Sequence, residues 1–155
     1  MNDNMNIAKI LLVDDSLSDQ KLIKKSFEMQ KIANTLHTEN CAEDALDFLD
    51  ACKNGNIQNE LPDLILLDLN MPGMGGKGFL RRIKADEYLD TIPIVVLTTS
   101  DSEIDILESY KLQAAGYIKK PVDLMEFREV LTGLQEYWFV ICKQIVKATV
   151  TMSLK

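Results

Sequence analysis

The chain has 155 residues, 46% of them hydrophobic and 26% charged, the balance expected of one globular domain. Its 17 Lys and Arg against 24 Asp and Glu give a net charge of −7, which argues against nucleic acid as the main partner because phosphate binding needs a basic face. No uninterrupted apolar run approaches the roughly 20 residues of a membrane helix, and three cysteines (Cys41, Cys52, Cys142) without C-x-x-C spacing supply neither a disulfide nor a zinc framework.

The polar, acidic start, Met1 to Asn6, reads as a disordered tail with no signal peptide, so a cytoplasmic protein with reduced thiols is expected. An apolar strand follows at about Lys9 to Val13. A helix then starts near Ser16, with Leu17, Ile23 and Phe27 as its inward residues. Thr35 to Glu39 is a weaker strand. Ala42 to Cys52 shows helical spacing at Ala45, Leu46, Leu49 and Cys52, and Asn54-Gly55-Asn56 breaks it. Pro62 introduces the strand Leu64 to Leu67. A helix through Phe79, Leu80 and Ile83 leads to the strand Ile94 to Leu97 behind Pro93. Ser100 with Glu103 forms a capping box for a helix through Ile104, Leu107 and Tyr110. A short strand near Gly116 to Ile118 ends at Lys120-Pro121, and a last helix begins at about Asp123. The lone His37 has no Cys or His companion at ligand spacing and reads as a surface residue.

Five strands alternating with five helices predict an α/β fold, a parallel sheet covered on both faces. The middle strands are apolar throughout, as doubly covered strands are. In such sheets chemistry sits beyond the carboxyl ends of the strands. There the sequence places Asp14, Asp15, Asp68, Thr98 and Lys120.

Each has two readings. Asp68 either caps the turn before the Gly-rich segment or attacks a phosphoryl group as a carboxylate nucleophile. Asp14 and Asp15 either cap the helix at Ser16 or bind a magnesium ion, which favours a few carboxylates and several waters. Thr98 is a strand-end threonine or a hydroxyl that bonds a phosphoryl oxygen, with Thr99 and Ser100 as near alternatives. Lys120 is a surface lysine or the cation that pairs with Asp68 and then with phosphoryl oxygens, with Lys119 competing. The five together, in order and each at a strand end, favour phosphoryl chemistry.

On Leu11-Leu12-Val13-Asp14-Asp15, Asp68-Leu69-Asn70-Met71-Pro72, Val96-Leu97-Thr98-Thr99 and Tyr117-Ile118-Lys119-Lys120-Pro121, the chain resembles a receiver domain of the two-component response-regulator family. The resemblance covers residues 7–135. It implies a five-stranded, doubly wound, flavodoxin/CheY-like sheet in the order 2-1-3-4-5. It implies Asp68 as phosphoacceptor, Asp14, Asp15, Asp68 and the backbone carbonyl of Asn70 around Mg2+, and Lys120 as phosphoryl-binding lysine. Thr98 and Tyr117 would be the switch residues, Tyr117 changing rotamer on activation. A sensor histidine kinase or a phosphotransfer protein would be the donor. Thr98-Thr99-Ser100, Ser109-Tyr110-Lys111-Leu112, Pro121-Val122-Asp123 and Tyr137-Trp138 are similar to the single-domain subgroup paired with phytochrome-type kinases. Gly75 departs from the family, where many members carry an aspartate. With Gly73, Gly76 and Gly78 beside it, a loop more mobile than usual is expected.

Residues 136–155 are too few for a helix-turn-helix or an output enzyme, so no direct DNA contact is expected within this chain. The apolar stripe Leu124, Phe127, Leu131, Leu134, Trp138, Ile141, Ile145 extends the last helix beyond the receiver. Tyr137 to Cys142 is apolar nearly all round; Trp138 and its neighbours either fold back on their own domain or, as the patch favours, meet a homodimer or a downstream protein partner on that face. Three rivals fare worse. A haloacid-dehalogenase-type phosphatase wants a second acid where Asn70 stands, and an FMN carrier wants a phosphate-binding first loop where Asp14-Asp15 repel phosphate. A degenerate receiver would have lost an active position, and none is lost.

Overall fold

The computed structural model describes residues 7–30, 34–55, 61–98, 112, 114–120 and 124–135. In chain order these form β1 (Ala8–Val13), α1 (Leu17–Glu28), β2 (Asn34–Glu39), α2 (Ala42–Lys53) and β3 (Leu64–Asp68). Then follow α3 (Gly75–Lys84), β4 (Ile94–Thr98), β5 (Gly116–Lys119) and α4 (Leu124–Gln135). All five strands pair in parallel in the order β2-β1-β3-β4-β5, as expected. The helix expected through Ile104, Leu107 and Tyr110 lies outside the described residues, as do Cys142 and the whole of 136–155.

Alternation along each strand divides the core between two faces. Leu11 and Val13 of β1 with Ile65 and Leu67 of β3 pack against Ala45 and Leu49 of α2 and Phe79, Leu80 and Ile83 of α3. Ile10, Leu12, Leu64 and Leu66 point the other way, against Ile23 and Phe27 of α1 and Phe127 and Leu131 of α4. Burial on both sides explains why β3 and β4 contain no exposed residue. β2, at the edge, alternates half-buried and exposed positions over most of its length, which is why its pattern is weaker.

One inward assignment fails. Leu17 is 66% exposed, because it is the first residue of α1 and lies off the face defined by Ile23, Ser26 and Phe27. Ser16 is the N-cap of α1, its hydroxyl accepting from the Asp19 amide at 3.3 Å, so neither Asp14 nor Asp15 is needed for that task. Cys41 caps α2 through its sulfur, Cys52 is buried, and both are free thiols. His37 is exposed, stacked on Phe48 and paired with Glu39. Among the described residues no helix is long and apolar enough to cross a membrane.

The chain leaves β1 for β2 on one side and later returns to place β3 on the other. Successive connections therefore diverge above the carboxyl ends of β1 and β3, which opens the crevice where ligands of such sheets bind.

Candidate functional site

Val13 of β1 pairs with Leu67 of β3, so the next residues, Asp14 and Asp68, emerge side by side into that crevice. Both are buried, at 0% and 6% exposure. Each carboxylate divides its oxygens. Asp14 Oδ1 accepts from the Ser16 amide at 2.9 Å, and Asp68 Oδ1 accepts from the Asn70 amide at 3.2 Å. These are the local turns that aspartate favours, and they leave the two Oδ2 atoms for other partners. Asp68 therefore does cap the turn after β3, and this use of Oδ1 leaves Oδ2 facing the crevice side of Lys120.

Lys120 follows β5 and supplies the cation. Its amide donates to the Thr98 carbonyl at 2.7 Å, which anchors it beside the end of β4, and its side chain is 7% exposed. Lys119, the competing lysine, is exposed on the strand. Nζ of Lys120 lies 2.7 Å from Asp14 Oδ2, 2.7 Å from Asp19 Oδ2 and 3.8 Å from Asp68 Oδ2. Burial opposes its charge, but the hydrogen bonds to Asp14 and Asp19 and the charges of Asp14 and Asp68 outweigh that and raise its pKa.

Asp68 shows the opposite stress. Burial pushes its carboxyl up from 3.8 to about 7; Lys120 and the Asn70 amide pull it down, while Asp14 and Asp15 push it further up. Asp15 is exposed, yet Asp14, Asp15 and Asp68 each offer a carboxylate oxygen within 4.8 Å of the others. Three carboxylates, Asp14, Asp19 and Asp68, thus share a single ammonium, and Asp15 adds a fourth acid beside Asp14 and Asp68. This all-oxygen, negatively charged donor set fits a hard divalent cation, whose charge would offset the burial that chiefly raises the Asp68 pKa and the smaller repulsion from Asp14 and Asp15.

The remaining positions complete the rim. Thr98 ends β4 and is buried, and Asn70 Nδ2 donates to its Oγ1 at 3.4 Å. Thr99 and Ser100, the alternatives, lie outside the described residues. Tyr117 is the second residue of β5, paired with Val96. The loop after β3 is drawn close by Gly76, where a Cβ would stand 2.5 Å from the Asp68 carbonyl and 2.6 Å from Leu69 Cα. Glu43 of α2 accepts from the Met74 amide at 3.3 Å and holds the same loop from outside. Gly73 and Gly75 both have positive φ, which glycine adopts without strain.

Two site residues escaped sequence reasoning. Asp19 sits three residues after the cap Ser16, where an acid reads simply as a helix start. Gln20 Nε2 donates to the Asp14 carbonyl at 2.5 Å and to Asn40 Oδ1 at 2.7 Å, tying the end of β1 to the loop after β2. Nothing in their spacing marks either one.

With this geometry in hand, comparison with known proteins is specific. The family profile for the response regulator receiver domain matches residues 10–132. The response regulator Rcp1 of Synechocystis sp. is 36% identical over 140 residues, covering 89% of this chain and 94% of its own length. Among solved structures, the phosphorylated cyanobacterial phytochrome response regulator RcpA superposes with a TM-score of 0.76 at 36% identity, covering 86% of this chain and 94% of its own. The Mn2+-bound form of Rcp1 gives a TM-score of 0.75 at 34% identity, covering 86% and 96%.

Proposed function

The chain belongs to the response regulator receiver family, and from that premise we propose that Asp68 is the residue it uses to accept a phosphoryl group. Receivers are phosphoacceptor switches of two-component signalling, not metabolic enzymes. The observation that carries the assignment is the buried corner where Asp68, Asp14 and Asp15 converge beside Lys120.

In the forward step an oxygen of Asp68 attacks the phosphorus of a phosphohistidine on a sensor kinase or phosphotransfer protein. The P–N bond breaks, its electron pair returns to the imidazole, and an acyl phosphate remains on Asp68. In hydrolysis the oxygen of water attacks phosphorus and the P–O bond to Asp68 breaks, restoring the carboxylate and releasing inorganic phosphate. Lys120 pairs with a phosphoryl oxygen as charge builds there, and the Thr98 hydroxyl donates to another. Asp14, Asp15, Asp68 and the Asn70 carbonyl would hold Mg2+, which when bound would supply further charge neutralisation. That the relative Rcp1 has a Mn2+-bound form supports a divalent ion as a ligand of this chain.

We assign residues 7–135 to the receiver, a span that contains the 10–132 matched by the family profile. Thr98 and Tyr117 report phosphorylation to the face formed by β5 and α4. Met125 and Val130 are exposed there, which supports a homodimer or a downstream protein on that face. The phytochrome relatives favour a phytochrome-type kinase as donor, and membership of the receiver family favours a cytoplasmic site of action.

The test is to incubate the protein with acetyl phosphate, with and without magnesium, and to read the intact mass. A single magnesium-dependent phosphoryl adduct, absent in Asp68→Asn, is the expected result. Labelling of Asp68→Asn at the wild-type rate would remove Asp68 from this role. Light scattering of both states, and of a chain truncated after Gln135, tests self-association.

A further inference from the structure

We propose that Asp19 is a positioning residue that holds Lys120 back from Asp68 and so sets how readily Asp68 is phosphorylated; this rests on Asp68 being the acceptor. Lys120 Nζ is shared unequally. It stands at hydrogen-bond distance from Asp14 and Asp19, 2.7 Å each, but 3.8 Å from Asp68. An ammonium has three donors, so two are engaged and the third is what remains for Asp68 or a group on it.

The two short contacts differ in consequence. Asp14 stands beside Asp68 at the end of the neighbouring strand, so a lysine moving toward Asp68 keeps Asp14 within reach. Asp19 belongs to the first turn of α1, where the Ser16 cap fixes its amide. Its contact draws Nζ toward the helix. Pairing with a phosphoryl group on Asp68 therefore competes with Asp19 and not with Asp14. Asp19 is also 34% exposed, so solvent can take over its carboxylate when the lysine leaves. The cost of release is then small enough to be met by a dianionic partner.

The experiment measures the rate of labelling by acetyl phosphate at saturating magnesium for wild type, Asp19→Asn, Asp19→Ala and Asp19→Glu. Removal of the competing charge in Asn and Ala should speed labelling about three- to tenfold, the size of a partly exposed charge-assisted bond. Glu, which restores a carboxylate on the same turn, should stay within about twofold of wild type. The acceleration should persist in molar salt, because direct contact survives where through-space attraction is screened.

Wild-type labelling with an unaccelerated Asp19→Asn would overturn the proposal, as would an acceleration that vanishes in molar salt or appears equally in Glu. Thermal unfolding of each variant separates these outcomes from a loosened α1, and Ala serves if Asn does not fold. A failure of wild type itself to label would instead refute Asp68 as the acceptor.

Discussion

Asp14 and Asp68 use their carboxylates in the same divided way, each giving Oδ1 to the amide two residues ahead and leaving Oδ2 toward Lys120. Local turn chemistry thereby orients both carboxylates. One oxygen fixes the rotamer, and the other faces Lys120, at 2.7 Å for Asp14 and 3.8 Å for Asp68. The arrangement is preorganised, and it keeps two buried acids close to one cation.

Stability should fall with pH through the range set by Asp68. The native protein holds a proton there up to about pH 7, whereas the unfolded chain releases it near 3.8. Between those values each rise in pH favours the unfolded state, by at most about 1.4 kcal/mol per unit. Asp68→Asn should lack this decline and be more stable than wild type above pH 7 without metal. Urea unfolding across that range measures it, and parallel curves for the two proteins would contradict it. The raised pKa of Lys120 adds stability present throughout neutral pH and lost only above the ordinary lysine range.

Lys120→Met removes the partner of a fully buried carboxylate. Asp14 would then keep the Ser16 amide but lose its ammonium at 0% exposure, which should cost roughly 3 kcal/mol. Magnesium should recover part of this, since a dication replaces the lost charge. A cost below about 1 kcal/mol in urea would mean that water reaches Asp14 once the lysine is gone.

Divalent cations should stabilise the wild type more above pH 7 than below it, because below it the proton on Asp68 competes with the ion. Asp15→Asn, at an exposed position, should change metal-free stability by no more than about 0.5 kcal/mol while weakening the magnesium effect. Melting temperatures with and without magnesium at two pH values decide this.

Gly76→Ala and Gly55→Ala should differ. At Gly76 the new methyl would meet backbone atoms of Asp68 and Leu69 at 2.5 to 2.6 Å, so α3 must shift from the end of β3. A loss of about 2 to 3 kcal/mol and slower labelling are expected. Gly55 has φ +73 with nothing within 4 Å, so only backbone strain of about 1 kcal/mol applies, and labelling should be unchanged. Equal effects on labelling would show that the loop after β3 tolerates displacement.

Much of this protein was legible one residue at a time. Uniform apolar runs such as Leu64 to Leu67 mark strands covered on both faces, because only such strands have no wet side. Asp14, Asp68 and Thr98 stand at strand ends by their place after those runs, and the parallel order brings those ends together. Their placement follows from position, so sequence alone determined the fold class and which side chains meet in the crevice.

Other features required the chain to be folded. Lys120 prevails over Lys119 because side chains alternate along β5, and a shift of one residue exchanges exposure for burial. Leu17 is apolar yet exposed because the inward face of α1 is set by what packs against Ile23 and Phe27. Asp19 joins the site because α1 leans its first turn over the end of β5, 101 residues away in sequence from Lys120. Contacts of that range depend on how helices dock against a sheet, and no local pattern of residues encodes them.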